Sequence, residues 1–239
     1  MLGLAHDPRH GPLPALMVVL TLSTGVIDAT TFLALDRVFV ANMTGNVVFM
    51  AFALGGASEF SVPASLTALI AFLAGAQLGG QLHRRLPANR GWRLAIVCAI
   101  EAALVAAALA ISLWAQWRGV AIGATATRYA MIAVLGIAMG LQNATIQTLG
   151  VPGLTTTVLT SILTGIAADA GGPTAPQGAR LRPVGVVVLF IGAAIGALLV
   201  LGRDTGAGLA AALTLLAGTA VAAHRLSRGT PSWTATAPR

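Results

Sequence analysis

The sequence predicts an all-α integral membrane protein with six full transmembrane helices and two short broken or re-entrant helices, arranged as an inverted 3+3 repeat. Three observations predict it: the composition, the lengths of the apolar segments and a similarity between the two halves. Hydrophobic residues make up 56% of the 239 residues and charged residues 9%, against about 45–50% and 25% in soluble domains. So few charges cannot cover a water-soluble domain of this size, and so many apolar residues exclude a disordered chain.

The net charge of +7 comes from arginine, of which the chain has 14, with no lysine. The arginines flank the apolar segments, as membrane-topology signals do, and they do not cluster with aromatic residues as in a nucleic-acid-binding surface. The sequence therefore predicts the lipid bilayer as a partner and no nucleic-acid partner. The single cysteine, Cys98, lies inside an apolar segment and is expected to be a small buried residue.

Six apolar segments are long enough to cross a bilayer, which takes about 20 helical residues. They are residues 13–35, 62–82, 93–113, 129–149, 184–201 and 206–224. Two further segments, 44–56 and 156–170, are too short, and each follows a polar stretch typical of a turn. At about 1.5 Å per residue each would cover about 20 Å, two thirds of the hydrocarbon core.

The order of a full span, a short helix and two full spans occurs twice, and individual residues match between the two halves. Gly25 and Asp28 align with Gly140 and Asn143, at an offset of 115 residues. Further along, Gly75 aligns with Gly192 at an offset of 117 residues. The shared order and the slowly drifting offset predict a duplication.

The arginines favour short helices that do not cross the bilayer. With six spans and an internal N-terminus, ten arginines lie inside and four outside, whereas eight spans give eight and six. Three spans per copy is an odd number, so the second copy is inverted. The predicted units are an N-terminal tail (1–12), repeat 1 (13–115), a linker (116–127), repeat 2 (128–226) and a C-terminal tail (227–239).

Polar residues deep in these spans are the candidate binding residues. A carboxylate such as Asp28 costs about 2.5–3.5 kcal/mol at the centre of a membrane helix, so it should face the bundle interior or water. Its counterpart Asn143 shares a helix face with Gln147. We expect Asp28, Asn143 and Gln147 to bind substrate, although a structural hydrogen bond and helix–helix packing are alternatives.

The stretch 41–46 begins the first short helix and contains Asn42, Thr44 and Asn46. Asn42 or Thr44 can cap that helix, and the second copy offers Thr157 and Thr160. All five are candidate substrate-binding residues. Two helix N-termini pointing towards the middle of the membrane favour an anion, a carboxylate or a polar solute, and simple capping is the alternative.

Glu101 lies about eight residues into the third span and has no acidic counterpart in the second copy. It could pair with Arg93 along the helix or act as a proton site. Asp28 and Glu101 are therefore the candidate proton-coupling residues. The pattern predicts no catalytic residue, no metal site and no cofactor.

The string Gly25-x-x-Asp28-Ala29-x-x-Phe32-Leu33, followed by residues 38–46 (VFVANMTGN), resembles the YoaK-type bacterial membrane proteins, a family of unknown function. The similar span pattern covers about residues 13–226. The resemblance implies a bacterial inner-membrane protein with about six spans, and it implies no substrate or reaction.

Three classes of function remain open. The first is a secondary transporter or channel for a small polar or anionic solute or ion, with proton coupling through Asp28 as one version. The second is a non-catalytic membrane subunit or ligand-binding sensor. An intramembrane enzyme is the least favoured class, because the sequence has no HExxH, GxSxG or Ser–Lys arrangement. The expected location is the inner membrane with both termini cytoplasmic, and a homo-oligomer is left open.

Overall fold

The computed structural model describes residues 10–86, 88–122, 124–150, 182–228 and 232–234. These residues form seven α-helices and a short 3-10 helix, Ser232–Thr234, and no strand. The α-helices are α1 (Leu13–Ala34), α2 (Met43–Leu54), α3 (Val62–Arg85), α4 (Arg90–Trp117), α5 (Thr125–Leu149), α6 (Arg182–Gly202) and α7 (Thr205–Leu226). All except α2 are long and apolar enough to cross a membrane, which confirms the all-α class and the six spans. The short helix predicted at 156–170 lies outside the described residues.

A capping side chain extends the third span beyond the edge of its apolar segment. The third span, predicted at 93–113, extends over Arg90–Trp117. It begins early because the side chain of Asn89 accepts a hydrogen bond from the Trp92 amide at 2.9 Å. Its last turn contains Trp114 and Trp117, both exposed, and tryptophan is common at the membrane–water interface.

Two helix pairs make the closest contacts, α1 with α6 and α3 with α5. Glycines set both interfaces. A Cβ atom on Gly25 would collide with the carbonyl oxygen of Leu189, and one on Gly140 would collide with that of Phe72. The two backbones in each pair therefore touch directly, which small residues allow in membrane helices.

The same contacts recur at the offsets that the sequence predicts. Gly25 corresponds to Gly140, and its neighbour Leu189 corresponds to Phe72. Two further contacts correspond in the same way: Gly192 with the Leu22 carbonyl, and Gly75 with the Ile137 carbonyl. Both interfaces thus join a helix of one predicted copy to a helix of the other, and these four contacts correspond.

The contacts also give the direction of each long helix. Residue numbers rise together across the α1–α6 and α3–α5 interfaces, so the helices of each pair are parallel. The start of α4 meets the end of α5 through a hydrogen bond from Arg90 to the Leu149 carbonyl. The start of α7 meets the ends of α1 and α4, where Gly208 lies against Thr30 and Gly206 against Leu109. Hence α1, α4 and α6 run one way, and α3, α5 and α7 run the other.

Two consequences follow from these directions. Since α1 and α3 are antiparallel, the chain between them returns to the face at which α1 ends, so α2 does not cross the bundle. Corresponding helices of the two halves also run in opposite directions, as an inverted repeat requires. The inverted repeat itself stays a prediction.

Candidate functional site

A cavity of about 890 Å³ opens between α1, α2 and α6. Four of the polar residues along its wall are Thr24 and Asp28 of α1, Asn42 just before α2, and Thr44 in its first turn. Of the eight predicted substrate-binding residues, three therefore lie together at this cavity: Asp28, Asn42 and Thr44. The apolar wall includes Leu189, Ala193 and Ala197 of α6.

The cavity exists because the chain reverses sharply after α1. Asp36 and Arg37 both adopt positive φ angles, 68° and 55°, a conformation that residues other than glycine adopt uncommonly. The Asp36 carboxylate also forms an ion pair with Arg128 of α5 at 3.0 Å. After this turn Val38 and Val40 are buried, so the segment folds back into the bundle before α2 begins.

Asp28 holds the returning segment in place. Its Oδ1 atom accepts hydrogen bonds from the backbone amides of Val40 at 3.0 Å and Ala41 at 2.8 Å. Asp28 lies six residues before the end of α1, about 9 Å along the helix axis. Non-helical backbone therefore reaches this depth, and its amides are satisfied by a carboxylate from the neighbouring helix.

Asn46 fixes the same segment from the other side. Its Oδ1 atom accepts from the Phe39 amide at 3.0 Å, and its Nδ2 atom donates to the Phe39 carbonyl at 2.6 Å. The side chain is fully buried and is not among the described residues that line the cavity. The structure thus places this predicted binding residue where it positions the loop.

The expectation that Asn42 or Thr44 caps α2 with its side chain is wrong. Asn42 is the N-cap residue, but its side chain makes no capping hydrogen bond. Both side chains are exposed and line the cavity. The first turn of α2 therefore has no side-chain cap, and the hydrogen bonds to Asp28 come from amides that precede this turn.

Phenylalanine rings form the outer part of the cavity wall. Phe32 of α1 stacks on Phe39 of the loop with 4.8 Å between ring centroids, and Phe49 of α2 lies 5.7 Å from Phe39. Phe60 stacks on Phe49 at 4.6 Å, and Phe52 lies 5.8 Å from Phe60. Sequence reasoning missed this cluster, whose only signal is the recurrence of phenylalanine across 32–60.

Polar groups also meet below the cavity, between α1 and α5. The Gln142 side chain donates from Nε2 to Thr24 Oγ1 at 2.8 Å, and Thr24 donates to the Leu20 carbonyl. Gln142 is 2% exposed, and its Oε1 atom has no hydrogen-bond partner among the described residues. Gln142, adjacent to the predicted Asn143, is therefore an α5 amide that is hydrogen-bonded to a cavity residue.

The two predicted binding residues on α5, Asn143 and Gln147, do not line the cavity. Asn143 is half-buried and Gln147 is exposed, and neither is among the residues that line it. On the same face of α5, Gly136 and Gly140 pack against α3, the alternative that the sequence left open. Thr157 and Thr160 lie outside the described residues.

Glu101 is fully buried in α4. Neither of its carboxylate oxygens has a hydrogen-bond partner among the described residues. Of the two alternatives for Glu101, pairing with Arg93 is wrong, because the Arg93 guanidinium lies against His83 and donates to the Leu86 carbonyl at 3.1 Å. Glu101 is also absent from the described lining of the cavity.

The sequence of this chain is similar to known proteins across the whole region that forms the site. Residues 16–222 match the model of a family described as a protein of unknown function, DUF1275. The chain belongs to the DUF1275 family. It is 31% identical over 193 residues to the UPF0700 transmembrane protein YoaK of Bacillus subtilis (strain 168), an alignment that covers 77% of this chain and 82% of that protein. No solved structure gives a significant match.

The predicted resemblance to YoaK-type proteins is therefore confirmed, and this DUF1275 chain is a multi-pass membrane protein. The family match spans α1, the returning loop and α2. The cavity residues thus belong to the shared family region.

Proposed function

We propose that this chain is a secondary transporter or channel for a small polar solute, and that the cavity beside α2 is the solute site. One observation carries the proposal: backbone that is not helical bonds to Asp28, about 9 Å inside the end of the candidate span α1, and borders a cavity of about 890 Å³. Irregular backbone at that depth is tolerated where it is buried in protein or lines a water-filled cavity. In many transporters, broken helices in corresponding positions of inverted repeats form the binding site.

The proposal includes the orientation in the membrane. At the face where α1 begins, the described helices place seven arginines: Arg84, Arg85, Arg90, Arg93, Arg182, Arg225 and Arg228. The opposite face has four, and three described acids offset them: Asp36, Glu59 and Asp204. Positive residues favour the cytoplasmic side. We propose that the face with seven arginines lies on the cytoplasmic side of the bacterial inner membrane, and that both termini lie on the same side.

One version of the proposal couples transport to protons through Asp28. Among the described residues that line the cavity, Asp28 is the one with a titratable side chain, and Glu101 is the second carboxyl group within the described spans. An Asp28→Asn variant can still accept the Val40 and Ala41 amides through its Oδ1 atom, so the loop should persist while the proton site is lost. If that variant kept both uptake and the pH dependence of uptake, proton coupling through Asp28 would be excluded.

A thermal-stability screen of the purified protein tests the solute site. Wild type, Asp28→Asn and Thr44→Ala are compared in the presence of carboxylates, small anions, sugars and amines. A ligand that binds the folded protein stabilises it by RT ln(1 + [L]/Kd), about 1.4 kcal/mol when its concentration is ten times Kd. We expect a compound that stabilises the wild type and loses its effect in both variants.

The second class of function, a non-catalytic membrane subunit or sensor, predicts different results. A subunit would show no stabilising solute, and both variants would simply be less stable. Stoichiometric purification with another membrane protein would then support the subunit. A sensor would bind a solute without moving it across the membrane, so flux in proteoliposomes separates it from a transporter.

A further inference from the structure

We infer that the solute is a small organic cation, with an ammonium group beside an apolar body. The inference rests on the proposed function of the cavity and goes further by naming the charge of the solute. It is carried by the hydrogen bonds at Asp28, the charges of the lining residues and the phenylalanine wall.

Two backbone amides beside the start of α2 are already occupied by a carboxylate. The first turn of α2 was expected to bind an anion through free backbone N–H groups. The Val40 and Ala41 amides just before that turn donate to Asp28 Oδ1, at 3.0 and 2.8 Å. A solute carboxylate in this cavity would share it with the Asp28 carboxylate, which repels a negative charge.

The charge of the lining has one sign. Of the described residues that line the cavity, Asp28 alone carries an ionisable side chain, and no arginine or histidine is among them. The Arg37 guanidinium lies 5.9 Å from the centre of the Phe60 ring, and Phe60 lies beyond Phe49 in the cluster. In a site of low dielectric constant, an unpaired carboxylate attracts a cation and repels an anion.

The apolar part of the lining suits the rest of such a solute. The rings of Phe32, Phe39 and Phe49 line the cavity with Leu189 and Ala193. Aromatic rings attract cations through their faces and also provide apolar contact area. The volume of about 890 Å³ lies within the range of roughly 300–1,000 Å³ that is typical of small-molecule sites.

Three probes of nearly equal size and different charge test the inference: benzylammonium, benzyl alcohol and benzoate. Each is titrated at pH 7 against the protein in lipid nanodiscs, with thermal stability as the readout. We expect the apparent affinity for benzylammonium to exceed that for benzyl alcohol about tenfold, as a cation–π contact together with a carboxylate would give. Benzoate should bind more weakly than the alcohol.

Two variants make the test specific. Asp28→Asn removes the charge and keeps the loop acceptor, so it should abolish the preference for benzylammonium. Asp204→Asn makes the same chemical change at the α7 N-cap, where the side chain accepts from the Ala207 amide at 2.8 Å, and it should keep the preference. Equal preference in both variants would overturn the assignment to Asp28.

The remaining outcomes separate this inference from the proposed function. If benzyl alcohol or benzoate binds as well as benzylammonium, with binding reduced by Thr44→Ala, the cation inference fails and the solute site stands. If none of the three probes stabilises the wild type while a sugar or an anion does, the cation inference again fails alone. If no compound in either screen binds, both proposals fail.

Discussion

Single residues determine the shape of the candidate site through contacts that are distant in sequence. Asp28 bonds to amides 12 and 13 residues away, and Asn46 bonds to a residue seven positions before it. The sequence indicated Asp28 and Asn46 as candidate binding residues, one deep in a span and one in the stretch 41–46. It could not assign their partners, because those depend on the turn at Asp36 and Arg37.

The first prediction compares two asparagines four residues apart. Asn46→Ala removes a fully buried side chain and leaves the partly buried amide and carbonyl of Phe39 without their partner, so we expect a loss of about 2–4 kcal/mol in the free energy of unfolding. Asn42→Ala removes an exposed side chain that makes no capping bond, so it should change stability by less than about 0.5 kcal/mol. Thermal unfolding in detergent measures both, and equal losses would contradict the assigned roles.

The second prediction concerns Glu101. Because both oxygens are buried without a hydrogen-bond partner among the described residues, Glu101→Met should raise the free energy of unfolding by about 1–3 kcal/mol. The matched change at the exposed Glu59 should have little effect. A clear loss of stability in Glu101→Met would mean that the carboxyl group has a stabilising partner.

At the scale of elements, the sequence predicted what depends on local apolar content. All six long helices and the short helix were predicted, the latter at 44–56 against the observed Met43–Leu54. Contacts between elements could not be predicted from local apolar content, because they join distant residues. The Gln142–Thr24 hydrogen bond, for example, joins residues 118 positions apart. The predicted repeat nevertheless indicated part of the packing, because the aligned glycines Gly25 and Gly140 occupy corresponding interfaces.

The third prediction tests those interfaces. Gly25→Ala and Gly140→Ala each place a methyl group against the backbone of a neighbouring helix, so each should cost about 1–3 kcal/mol. Gly218→Ala in α7 meets nothing within 4 Å, and it should leave stability unchanged or raise it by up to about 1 kcal/mol. Thermal unfolding of the three variants measures these changes. A Gly25→Ala variant with unchanged stability would argue against direct backbone contact between α1 and α6.

At the scale of the whole molecule, the helix directions determine which loops share a face. The α2–α3 loop and the end of α4 lie on one face, and the end of α7 lies on the other. In a Cys98→Ala background, cysteines at Ala57 and Arg118 should react with an impermeant thiol reagent from the same side, and a cysteine at Arg228 from the opposite side. Labelling of Ala57 and Arg118 positions from opposite sides would contradict the non-crossing path of α2.

Accessibility from both sides of the membrane directly tests whether a solute crosses the membrane through the cavity beside α2. A Thr44→Cys variant in the Cys98→Ala background places one thiol in that cavity, and impermeant reagent is applied to vesicles of each orientation. Transport requires labelling from both sides, since alternating access or an open channel exposes the site to each. Arg118→Cys and Arg228→Cys, each labelled from one side, verify the orientations. Labelling of Thr44→Cys from one side alone would contradict transport and leave a binding protein.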